Sequence, residues 1–169
     1  MKKLSLIVAA TLAVTTSAVL AATSPATATF QVLITVAKAC SVVAGAGSKI
    51  DFGTVDSSAT NLSGNSNISV TCSKTTPYNI GLLPSNNSTT GAGVMSPATG
   101  SDTVAYQLRS AAGTSGAVWG STATSVAVGN GVAGTGTGAA QTIPVYATVA
   151  SANVTPGAYS DTVTVQVNY

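Results

Sequence analysis

The chain has 169 residues, 45% of them hydrophobic and 6% charged, with 6 Lys and Arg against 4 acidic residues, no His and a formal charge of +2. So few charges supply no basic face for nucleic acid and no polybasic stretch for anionic lipid, and without His a Ser or Cys nucleophile lacks its usual base. Two cysteines without His cannot form a four-ligand zinc site of the usual kind, so no metal or other cofactor is expected.

Lys2 and Lys3 precede the apolar run Leu4–Val14, and Val19-Leu20-Ala21 supplies compact residues at a cleavage position. That three-part pattern predicts a signal peptide over residues 1–21, cut after Ala21, with Ala22 or a site near Ala28 as the next choices. A membrane anchor is the alternative, but the run is near the lower limit for a spanning helix and carries several Thr and Ser. Cleavage leaves about 148 residues, the size of one domain. Lys38, Lys49, Lys74 and Arg109 then balance Asp51, Asp56, Asp102 and Asp161, and a neutral chain is prone to associate with its own copies.

Residues 22–29 are small and polar. Phe30, Val32, Ile34 and Val36 then alternate with Gln31, Leu33, Thr35 and Ala37, with Ala26 and Ala28 extending the register. Strict alternation predicts a strand with one buried side. Gly45–Ser48 reads as a turn, and Ile50 and Phe52 alternate before Gly53. Asn61–Asn67 reads as loop. Ile68, Val70 and Cys72 alternate, as do Tyr78, Ile80 and Leu82, and Val104, Tyr106 and Leu108. Pro84–Gly93 reads as a polar loop, Thr124–Val128 as a short strand and Gly129–Ala140 as a glycine-rich loop. Ile143–Val149 reads as a strand that Pro144 confines to an edge or a strand start. After the turn Pro156-Gly157, the final strand places Val163, Val165, Val167 and Tyr169 on one face. Many short strands, abundant Val, Ile and Thr, and no helical period between them predict an all-β sandwich or barrel.

Residues with catalytic potential have simpler roles. A Ser–Lys dyad is possible only as a chance pairing of scarce lysines with many serines. Paired carboxylates could hydrolyse glycosides, but Asp51 and Asp161 lie beside strands, where capping a turn is the better account. The glycines of 129–138 lack the strand–loop–helix setting and the Lys-Ser/Thr of a phosphate loop. Trp119 could be an exposed sugar-stacking platform, although a lone Trp is more often core or rim. No enzyme is expected. In an exported chain Cys40 and Cys72 are most simply a disulfide, worth about 3–4 kcal/mol on chain-entropy grounds; two free thiols are the alternative.

Several segments occur in an ordered set: Phe30–Val36, then Ala39-Cys40-Ser41-Val42, Ile50–Gly53, Ile68–Cys72, Ile143–Tyr146 and Gly157–Tyr169. The set resembles the spore coat U family, which includes the pilins of archaic, Csu-type chaperone–usher fibres. Leu83–Asn130 has no matching motif and reads as variable surface. The resemblance implies an incomplete immunoglobulin-like β-sandwich over residues 39–169, lacking its last strand, with an N-terminal donor-strand arm over 22–38. It implies a Cys40–Cys72 disulfide, and a hydrophobic groove filled first by a periplasmic pilus chaperone and then by the arm of another copy or a related pilin. Ala28, Phe30, Val32, Ile34 and Val36 are the implied donor residues. Val163, Val165, Val167 and Tyr169 form the implied edge strand that the chaperone engages. The implied partners also include an outer-membrane usher; the implied location is the cell surface, in a pilus for adhesion and biofilm formation. The alternatives are a secreted coat protein whose residues 28–36 complete its own domain, and a carbohydrate- or surface-binding adhesin module.

Overall fold

The structure is a computed structural model that describes residues 24–44 and 47–169. The expected signal peptide and part of the Gly45–Ser48 turn lie outside the described residues. Met1–Thr35 and Val36–Tyr169 are separate units. In the first, residues 26–35 form no ladder, and Phe30, Val32, Leu33 and Ile34 are 83–88% exposed. The expected buried side is therefore missing on both faces of this segment. Alternation gives a chain the capacity to be half-buried in a sheet, and among the described residues no strand pairs with this segment.

Every regular element described in the second unit is a strand: β1 Cys40–Val43, β2 Thr60–Cys72, β3 Pro77–Pro84, β4 Ala92–Pro97, β5 Val104–Arg109, β6 Val132–Thr135, β7 Ala140–Ser151, β8 Tyr159–Ser160 and β9 Val163–Asn168. They form two sheets, ordered β1-β2-β7-β5-β4-β8 and β6-β3-β9. The result is an immunoglobulin-like β-sandwich. Its core comes from the inward residues of four strands. Ile68, Val70 and Cys72 of β2, Tyr78, Ile80 and Leu82 of β3, Tyr106 and Leu108 of β5, and Val145, Ala147 and Val149 of β7 are all 8% exposed or less. These are the alternations visible in the sequence, converted into one apolar layer.

Five local expectations differ from the structure. Asn61–Asn67 is strand, within β2, because its inward positions are small: Gly64 leaves room for the Ile50 and Phe52 side chains, and buried Ser66 donates to the Gly47 carbonyl at 3.3 Å. Small inward residues erase the apolar period without erasing the ladder, which pairs β2 with β7 from Thr60↔Ser151 to Thr71↔Ala140. Gly129–Ala140 contains β6, and Pro84–Gly93 contains the start of β4. Thr124–Val128 is a turn, closed by the Thr124 N–H on the Ala127 carbonyl at 2.8 Å and by the Ala127 N–H on the Thr124 hydroxyl at 3.0 Å. Pro144 lies in a central strand, but β5 pairs only with residues 146–148 of β7, so at Pro144 the strand has one neighbour. The missing N–H is thereby tolerated.

Candidate functional site: an apolar groove along β9

β9 pairs with β3, from Val163↔Pro84 to Asn168↔Asn79, and among the described residues no strand ladders with its other edge. Val163, Val165 and Val167 point inward and pack against the core, yet each remains partly exposed, whereas their counterparts on β3 are sealed. Beside β9 lies a cavity of about 430 Å³. Its floor is Ile68, Leu108, Val145 and Ala147 of the large sheet, and Leu82, Val163 and Val165 close it from the small sheet.

The far wall is the segment Lys49–Gly53. Lys49, Asp51 and Gly53 are exposed while Ile50 and Phe52 face the core, the alternation of a strand, but the segment has no ladder partner. It is seated by side-chain packing over Gly64, where a Cβ would come within 2.7 Å of the Ile50 side chain. Asp51 tightens its turn by accepting from the Gly53 N–H at 2.8 Å and from Lys49 at 3.0 Å, and these contacts hold the carboxyl below its ordinary value. That ion pair is exposed and contributes little to stability. The free edge of β9 and the unladdered segment 49–53 thus border one apolar cavity.

A second cavity of about 780 Å³ continues from the first, sharing Ile50, Phe52, Met95 and Tyr159 as walls. It is lined by Leu62, Val104 and Val149 at the end of the large sheet, beyond the first residue of β9. Here the small sheet has run out, and loops carrying Val55 and Val154 give partial cover.

Polar groups on the groove wall satisfy one another. Tyr106 donates its hydroxyl to Asp161 at 2.6 Å, the Thr162 N–H donates to the same carboxylate at 2.7 Å, and the Ser85 hydroxyl also donates to it. Burial pushes the Asp161 carboxyl up, but the hydrogen bonds from Ser85, Tyr106 and Thr162 outweigh burial and hold it below its ordinary value. Burial, then the bond to Asp161 and its charge, push the Tyr106 phenol well above its usual range. Among the described residues no buried side-chain polar atom lacks a partner. The groove therefore offers apolar surface and free strand edges rather than polar side chains awaiting a ligand. A strand with alternating apolar residues suits such a surface.

The remaining residues singled out from the sequence are accounted for. Cys40 and Cys72 are a disulfide joining directly opposed residues of β1 and β2. Trp119 is 1% exposed and donates its indole N–H to the Ile80 carbonyl at 2.9 Å, so it is core and cannot be a sugar platform. The stretch Leu83–Asn130, expected to be variable surface, supplies Trp119 and two strands of the large sheet. Ala28, Phe30, Val32, Ile34 and Val36 are all exposed, and the last four are the most exposed large apolar residues of their stretch apart from Leu33. The wall segment Lys49–Gly53 was visible as an alternation, but its role depends on where β9 lies.

A family model described as Spore Coat Protein U domain matches residues 26–166. Among solved structures, the chain is similar to one chain of the CsuC–CsuE chaperone–tip adhesion subunit pre-assembly complex from archaic chaperone–usher Csu pili of Acinetobacter baumannii. The TM-score is 0.54 at 22% identity, over 80% of this chain and 41% of that one, so this chain spans about two-fifths of its neighbour's length and shares its fold. No curated protein sequence matches. With a match running from the exposed alternating segment into β9, the chain belongs to the Spore Coat Protein U domain family.

Proposed function

We propose that this chain is an exported structural subunit of a chaperone–usher surface fibre, joined to its neighbours by donor-strand exchange. In this reading the Phe30–Val36 segment of one copy fills the groove of the next. One pairing of observations carries it: an apolar groove bordered by the free edge of β9 and the unladdered segment 49–53, and an exposed apolar segment of strand period in the same chain. Inserted between β9 and 49–53, the segment gains a ladder partner on each edge. Burying four large apolar side chains contributes roughly 1.5–3 kcal/mol each, or about 6–12 kcal/mol before ordering costs. A head-to-tail contact of this kind does not close on itself and makes a filament.

Before assembly the same edge needs cover, since an unpaired apolar strand aggregates. A periplasmic chaperone engaging Val163, Val165, Val167 and Tyr169 fits that need, with an outer-membrane usher as the site of exchange. The chaperone–subunit complex of the structural neighbour supports this assignment by analogy. Residues 1–21 serve as the cleaved signal peptide, residues 22–38 as the arm and residues 39–169 as the receiving domain. Adhesion and biofilm formation are the expected consequences of a surface fibre. Deleting residues 22–36 tests the reading: fibres should be absent while the domain is still recovered bound to its chaperone. Fibres of normal length without the arm would overturn it.

A further inference from the structure

We infer that Asn130 is a site of spontaneous deamidation that the fold keeps latched: it stays intact while the loop 120–131 is closed, and is converted irreversibly to aspartate or isoaspartate once that loop opens. The inference stands apart from the donor-strand reading. Asn130-Gly131 is the one Asn-Gly pair in the chain. Glycine is the follower that most favours the reaction, because it has no side chain to shield its nitrogen and its backbone turns freely. The Gly131 nitrogen, losing its proton, bonds to the Asn130 side-chain carbonyl carbon. The bond from that carbon to Nδ2 breaks, and ammonia leaves with the proton. Water then opens the cyclic imide at either carbonyl, leaving aspartate or isoaspartate.

Packing, rather than loop freedom, puts this labile pair here. Gly129 has a φ of +54°, and a Cβ on it would lie 2.4 Å from the Thr122 hydroxyl. A Cβ on Gly131 would lie 2.3 Å from the Ile80 carbonyl oxygen of β3. Between the two glycines, half-buried Asn130 joins three stretches of chain. Its Nδ2 donates to the Thr89 carbonyl at 2.8 Å, and its Oδ1 accepts from the Thr122 N–H at 3.0 Å and the Thr122 hydroxyl at 2.7 Å. Its own N–H donates to that hydroxyl at 2.9 Å, and its carbonyl accepts from the Gly120 N–H at 3.1 Å. The attacking group is held as well, since the Gly131 N–H donates to the Val128 carbonyl at 2.8 Å. Cyclisation needs the side-chain amide to swing onto the Gly131 nitrogen, so these bonds must break first. The loop they close is tied to β3 by the Leu82 N–H on the Gly120 carbonyl at 2.8 Å, one residue after Trp119. Aspartate at 130 sets an oxygen against the Thr89 carbonyl where the amide nitrogen had donated, and isoaspartate lengthens the backbone there. Neither product restores the closed loop, so an opened domain is marked permanently.

Site-resolved mass spectrometry measures the reaction on the folded chain and on the same chain in urea, with the disulfide intact and at one pH and temperature. Asn130 should react at least about a hundredfold more slowly when folded, a ratio set by how rarely the loop opens. Thr122→Ala removes the hydroxyl from both its bonds and should speed the folded-state reaction about tenfold, whereas Thr122→Ser should stay within about twofold of the parent. A folded rate equal to the denatured rate, or a Thr122→Ala rate that is unchanged or lowered, overturns the latch. Asn130→Asp tests the product directly, through amide hydrogen exchange. Exchange at Gly120 and Ser121 should rise about tenfold, while residues 145–149 of β7 stay within about twofold. Unchanged exchange at Gly120 and Ser121, or an equal rise throughout β7, would overturn the inference as well.

Discussion

Single residues decide how the two sheets are held at the groove. Trp119, in a segment without regular structure, fills the core under β3 and anchors Ile80 through its indole N–H. Trp119→Ala should cost about 3–5 kcal/mol in denaturant unfolding, with no specific loss of sugar binding. Gly93 shows why a glycine sits in β4. It pairs with Tyr106, and a Cβ there would lie 2.0 Å from the phenol ring, so Gly93→Ala should displace the ring and break its bond to Asp161. Asp161 links titration to this site. Its folded value lies below the unfolded one, so its contribution is present above about pH 4 and is lost as pH falls through the folded value. Asp161→Asn should lower stability at neutral pH and flatten the acid limb of a stability–pH profile; an unchanged acid limb would refute the assignment. Tyr106 acts at the other end of the scale. Its folded value is raised, so its contribution holds below about pH 10 and is lost above it.

At the scale of elements, the strands of the sandwich were legible where their inward positions were large, although Phe30–Val36, with the same period, forms no ladder. The alternations of Ile68–Cys72, Tyr78–Leu82, Val104–Leu108 and Val163–Val167 all mark strands of the sandwich. The sequence was illegible where inward positions were glycine or serine making room for something distant. Gly64 accommodates Ile50 and Phe52, Gly93 accommodates Tyr106, and Gly134 in β6 accommodates Tyr78. Such glycines read locally as loop, because the side chain that needs the space lies on another strand. Local patterns did not give the groove for the same reason: none tells which strand lacks a neighbour, and only the family resemblance pointed to an edge at Val163–Tyr169. Gly64→Val tests the wall segment directly. It should lift 49–53 off β2 and reduce multimer formation more than it lowers domain stability; equal effects on both would deny the segment a role in assembly. The disulfide ties the four-residue β1 to β2. Cys40→Ser should remove about 3–4 kcal/mol and sharply lower periplasmic yield. An unchanged melting temperature would show that the ladder alone holds β1.

For the whole molecule, the sandwich is complete at one end and open at the other, and the chain itself carries a segment with the period to finish it. The Cys40–Cys72 bond has a mechanical consequence in a fibre joined this way. Pull on the arm enters the domain through Ala37–Ala39 and arrives at Cys40. Without the bond, tension would peel β1 from β2 one residue at a time. With it, the load passes straight to Cys72, at the end of a strand laddered to β7 from Thr60 to Thr71. The 32-residue separation between the cysteines is then withheld from extension, about 100 Å of chain at full stretch. Force spectroscopy of single fibres should record unfolding steps longer by about that length per subunit after reduction. Steps of equal length before and after would mean that the bond lies off the load path.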